Sequence, residues 1–211
     1  MLPEPTVFVA FLAAMIALIL LPGPDTLYVA ARSLHQGRMA GVVAALGISG
    51  GCMVHTTAAA LGISSLFAYA PVTLVIIRYL GAAYLLYLAW TTISAEGGKA
   101  GAEPSLSSMR RRRIFGQAAL TNLLNPKVIL FFLAFFPQFA RPDAGPVWLQ
   151  MLCLGLIFNL LGTTYLLTVV AVAGTIGGHL RRHAGFRRAQ RWITGTTLGG
   201  LALWLAATDR R

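Results

Sequence analysis

Apolar positions dominate the chain in long runs, and polar residues gather between them. A helix needs about 20 apolar residues to cross a bilayer. Six runs are candidates: residues 6–31, 41–64, 73–93, 114–136, 147–176 and 192–207. None shows the two-residue alternation of a half-buried strand, so the pattern predicts an all-α polytopic membrane protein. The first run carries no Lys or Arg ahead of it and is too long for a cleaved leader, so it reads as a retained span. Residues 94–113, rich in Gly, Ser and charge, read as a flexible linker between residues 1–93 and 114–211.

Composition agrees with the pattern. The 211 residues are 57% hydrophobic and 11% charged, with mean hydropathy +0.72. A soluble domain is about 25% charged. The net charge of +11 could suggest a nucleic-acid partner. Its distribution argues otherwise, because the basic residues cluster between apolar runs, where they face anionic lipid. Arg32 and Arg38 lie between runs one and two, Lys99 and Arg110 to Arg113 between three and four, and five arginines from Arg181 to Arg191 between five and six. The opposite side has Arg141 in its loops, plus Arg210 and Arg211. Positive loops stay cytoplasmic, so the rule puts both termini outside a bacterial inner membrane.

That orientation makes runs one to three and four to six two three-helix repeats of opposite topology. Inverted repeats place their sites where interrupted helices of the two halves meet. Runs one and four carry the interruptions. In the first, Pro22, Gly23 and Pro24 precede Asp25; in the fourth, Asn122 and Asn125 precede Pro126 and Lys127. An acid inside a span costs about 2.5–3.5 kcal/mol on insertion scales, and unpaired backbone there costs several more. Residues kept at that cost suggest the substrate and coupling site of a transporter.

Each candidate has a plain structural alternative. Lys127, about 21 Å along a helix from Arg113, is either a substrate or proton group or a cation that neutralises a buried carboxylate. Asp25, about 10 Å from Arg32, is either a site carboxylate or the N-cap of a helix restarting at Thr26. Pro126 has no N–H for the Asn122 carbonyl, which is left open to a ligand; one of Asn122 and Asn125 could serve only to repair the break. His55 in run two is a proton relay or a bond between helices. Asn159 in run five, with Thr163 and Thr164, lines the site or joins helices. The small-residue patterns at 47–51 and 195–199 predict close helix packing, within the chain or across a dimer. No phosphate-binding loop or metal-ligand spacing is present, so no cofactor or metal is expected and the energy source is a gradient. Cys52 and Cys153 form no CxxC and read as buried thiols.

At these residues the chain resembles the lysine exporter (LysE) superfamily, of the homoserine/threonine-resistance type. Pro22-Gly23-Pro24-Asp25, the glycine-rich start of run two from Gly41 to Gly47, and the block from Asn122 through Asn125-Pro126-Lys127 to Phe135-Phe136-Pro137-Gln138-Phe139 carry the resemblance. It implies export of an amino acid or derivative by proton antiport and no enzymatic activity. With Asp25 the only plausible acid within the membrane, a neutral substrate is favoured over lysine or arginine. Two other roles of the superfamily compete. A thiol-redox carrier would place a cysteine at each break, whereas Cys52 and Cys153 lie in runs two and five. A metal exporter would have only His55 and two separated cysteines to offer.

Overall fold

The computed structural model describes residues 5–21, 23–69, 71–94 and 109–173, with residues 192, 196, 199, 200, 202, 203, 206 and 207 further on. Every regular element among them is helical. The first half holds α1 (Pro5–Leu20), α2 (Pro24–Gln36), α3 (Arg38–Tyr69) and α4 (Pro71–Ser94). The second holds α5 (Arg111–Leu123), α6 (Pro126–Leu130) and α7 (Val147–Ala173). Residues 95–108 of the expected 94–113 linker, Pro22 and most of the expected sixth span lie outside the described residues, and α5 takes in the last three linker positions.

The two expected breaks are both present and alike. The pair α1–α2 bends by 49°, and so does α5 with the continuation of α6 to Phe139. Proline explains the positions, because Pro24 and Pro126 begin the second piece of each pair, where a missing N–H costs nothing. α3, over Arg38–Gly62, and α7 are each long and apolar enough to cross a bilayer, and each bent pair qualifies when its pieces are joined.

Two expectations need correction. Arg32 is not in a loop. α2 runs through it to Gln36, and only Gly37, at φ 84°, separates α2 from α3. A left-handed residue there lets the chain reverse in one step. Arg32 is 2% exposed and spends its charge on Gln36 Oε1 (2.6 Å), Met109 Sδ (2.6 Å) and the Tyr28 ring (5.4 Å). Second, no plain helix continues from Pro126. A π-helical turn, Phe131–Phe135, and a 3-10 turn, Phe136–Phe139, follow α6. The wider turn gathers Phe131, Phe132, Phe135, Phe136 and Phe139 on Phe158 of α7 and Phe11 of α1. The Phe11 ring lies 5.1 Å from Phe139 and 5.5 Å from Phe136, so aromatic edges join the two halves.

α3 is the central helix, lying along both α5 and α7. Gly47 and Gly51 permit this approach. A Cβ on Gly47 would collide with the Phe115 carbonyl oxygen, and one on Gly51 would sit 2.8 Å from the Ala119 oxygen. The 47–51 pattern therefore packs α3 on α5 within the chain. On the other side, Gly155 of α7 takes the side chain of Thr56. Beyond the 3-10 turn at Pro142–Ala144, buried Gln150 bonds the Arg141 and Gly145 carbonyls at 2.8 and 2.9 Å and accepts from the Arg141 N–H. That loop keeps its backbone satisfied at the end of α7. Outward-facing Leu61, Leu80, Trp90 and Leu160 are more than 60% exposed, an apolar surface suited to lipid rather than water.

Candidate functional site

The two breaks meet, and each is repaired by the other half of the chain. A broken helix leaves carbonyls without partners at its C-terminal end. Pro22, by its chemistry, has no N–H for the Leu18 carbonyl four residues back. Lys127 takes that oxygen at 3.1 Å and the Leu21 oxygen at 3.0 Å. Its ammonium stands at the negative end of α1, where a cation is favoured. At the N-terminus of its own helix it would be disfavoured, so turning away to α1 suits it twice.

The reverse contact comes from α2. Asp25 lies in the first turn of that helix, where a carboxylate is favoured. It is not the N-cap. The helix starts one residue before it, at Pro24, with Gly23 extended at the cap position. The carboxylate is thereby free to cross to the other break, where its Oδ2 accepts from Asn122 Nδ2 at 2.8 Å. Its Oδ1 is buried and bonds none of the described residues. Asp25 and Lys127 form no ion pair among the described residues; each is bound to the opposite half rather than to the other.

Asn125 caps its own helix, its Oδ1 accepting the Lys127 backbone N–H at 3.1 Å. The Asn122 carbonyl, expected to be open to a ligand, is closed twice. The chain tightens after α5 so that the Asn125 N–H reaches it at 3.0 Å, and His55 Nε2 of α3 lies 3.3 Å away. That oxygen can only accept, so the His55 nitrogen carries the proton. The imidazole also stacks on Phe132 at 5.6 Å. His55 is a bond between helices and does not line the cavity.

That cavity, about 50 Å3, opens between the breaks. Asp25, Asn122 and Lys127 form its polar side, and Asn159 and Thr163 of α7 face it. Asn159 accepts from Thr163 at 3.4 Å. Most of the remaining wall is apolar, with Leu18, Ile48, Val128, Phe158 and Leu166. Sequence reasoning found Asp25, Asn122, Lys127 and Asn159. It passed over Thr26 and Tyr165, which are ordinary polar residues in apolar surroundings. Thr26 carried a signal, since it follows the Asp25 break by one residue. Cys52 lines the cavity and Cys153 is partly exposed elsewhere on α7; both are free thiols. Among the described residues no three His, Cys, Asp or Glu side chains gather as a metal site.

Comparison with known proteins decides the family. The sequence profile of the LysE type translocators matches residues 16–209. The chain belongs to the LysE-type translocator family. Among relatives, an uncharacterised membrane protein of Pseudomonas aeruginosa is 36% identical over 208 residues, covering 95% of this chain and 92% of the relative. The uncharacterised membrane protein YrhP of Bacillus subtilis is 30% identical over 202 residues, covering 92% and 95%. The leucine efflux protein of an Enterobacter species is 30% identical over 208 residues, covering 95% of each. No solved structure matches. As a LysE-type translocator, the chain is a multi-pass membrane protein of a transporter family.

Proposed function

We infer that this LysE-type translocator exports a neutral amino acid, or a close derivative, from the cytoplasm in exchange for protons. One observation carries the reading. The cavity between the breaks is lined by one buried carboxylate, Asp25, which keeps an unpartnered oxygen among a few neutral polar groups, Lys127 and largely apolar side chains. A carboxylate in such surroundings favours either a proton or an ammonium group at its free oxygen. Alternation between the two is the chemistry of antiport. Because Lys127 is engaged with α1, the Asp25 charge has no cation paired directly to it among the described residues, which suits a zwitterion whose ammonium supplies one. The N–H groups at the start of α2, a 13-residue helix, are the natural partners for the substrate carboxylate. A relative named a leucine efflux protein supports an amino-acid substrate.

The six-span inverted repeat belongs to the same reading. Its support is the shared 49° bend of the two broken pairs and their reciprocal contacts. The exposed arginines Arg110 to Arg113, at the start of α5, support a cytoplasmic start for that helix and contact with anionic lipid. Both termini then face away from the cytoplasm in the inner membrane.

Everted membrane vesicles energised by a proton gradient test the function. They should accumulate labelled leucine, and Asp25→Asn vesicles should not. Accumulation at full rate in Asp25→Asn, or none of any amino acid in the unaltered protein, overturns the reading.

A further inference from the structure

The α7 side of the cavity is built on one helical face. Asn159, Gly162, Thr163 and Leu166 stand at positions i, i+3, i+4 and i+7 of α7. Gly162 differs from the buried glycines of α3. A Cβ there meets no atom of the described residues within 4 Å, whereas one on Gly47 or Gly51 runs into α5. Gly162 therefore serves no close approach among the described helices. It also takes no positive φ, since it lies inside a regular helix. A glycine inside a helix costs about 1 kcal/mol relative to alanine. Here that residue leaves open space against the cavity.

We propose that Gly162 sets the size of the substrate side chain, and that the cavity takes small aliphatic amino acids and excludes aromatic ones. The proposal rests on the amino-acid export argued above. The ammonium sits at Asp25, and the side chain extends along the α7 face toward Gly162 and Leu166. The cavity is small, about 50 Å3, so the room beside Gly162 decides how large and how broad a side chain enters. Every carbon added at position 162 takes space from the substrate. One methylene of misfit in an apolar pocket changes discrimination by about 10-fold to 200-fold.

The experiment compares uptake of alanine, leucine and phenylalanine in everted vesicles of the unaltered protein, Gly162→Ala and Gly162→Val. The unaltered protein should take up alanine and leucine and leave phenylalanine. Gly162→Ala should fold at least as well. In Gly162→Val, leucine uptake should fall about tenfold or more relative to alanine. Equal loss for both substrates, no change in either, or good phenylalanine uptake by the unaltered protein overturns the proposal. A second readout does not require transport. Cys52 lines the same cavity, so in a Cys153→Ala background a small methanethiosulfonate should modify Cys52 several-fold more slowly in Gly162→Val. An unchanged rate also overturns the proposal, whereas slowed modification in vesicles that transport no amino acid condemns the export reading and leaves the role of Gly162 standing.

Discussion

The ammonium of Lys127 lies 3.0 Å from the carbonyl oxygen of Leu21, more than one hundred positions away in the chain. With the matching bond to Leu18, a cation from one half replaces the backbone donors that the first helix loses at its break. Lys127→Met should strand both oxygens in an apolar interior. Bonds to a charged group are worth about 1.5–3 kcal/mol each. The purified variant should show a clearly lowered Tm in detergent, with loss of transport following from loss of fold. If Lys127 acted on the substrate alone, KM would rise with the Tm unmoved.

Asp25 separates structure from coupling in a different way. Asp25→Asn keeps an oxygen for Asn122 Nδ2, so the cross-brace survives and the Tm should change little. What is lost is the exchangeable proton. Gradient-driven accumulation should disappear. Asp25→Ala removes the acceptor as well and leaves a buried amide unpaired, at a cost of about 1–3 kcal/mol. Thermal melting of the two variants side by side distinguishes the roles.

The glycines of α3 give a packing prediction. Gly47→Ala places a methyl against the Phe115 oxygen and 2.7 Å from Ala118 Cβ, so α3 and α5 must separate. Overpacking of this kind costs about 1–3 kcal/mol. Gly116→Ala, with nothing within 4 Å of the added Cβ, should be neutral or stabilising by up to about 1 kcal/mol. A detergent melting series should show opposite signs at the two positions.

The loop between the 3-10 turns supplies the pH prediction. The Arg141 guanidinium, 2.6 Å from Asp143, holds that carboxyl below its ordinary range. A depressed carboxyl contributes stability above its unfolded value and loses it as pH falls through the folded one. The pair is exposed, so salt and water screen it. Asp143→Asn should leave the Tm near neutral pH almost unchanged and remove a small acid-side slope in Tm against pH. Transport should be unaffected, since neither residue lines the cavity.

The sequence by itself determined a good deal here. Bilayer thickness sets the length of an apolar run, and proline cannot continue a helical ladder, so the helical class and the two breaks were legible without coordinates. The charges at the breaks were legible too, because no apolar helix retains Asp25 and Lys127 without partners. The choice of partner was beyond reach. A natural guess pairs Asp25 with Lys127. The tertiary structure instead sends each to the opposite helix end, because the 49° bends present an Asn122 amide to one and two orphaned carbonyls to the other. Likewise, Arg32 resembled a loop charge until α2 was seen to run through it, and only the packed helices bring the His55 ring to the Asn122 oxygen. Local chemistry decides where a helix must stop. Which distant group satisfies the freed atoms depends on how the helices cross, and only the packed chain carries that information.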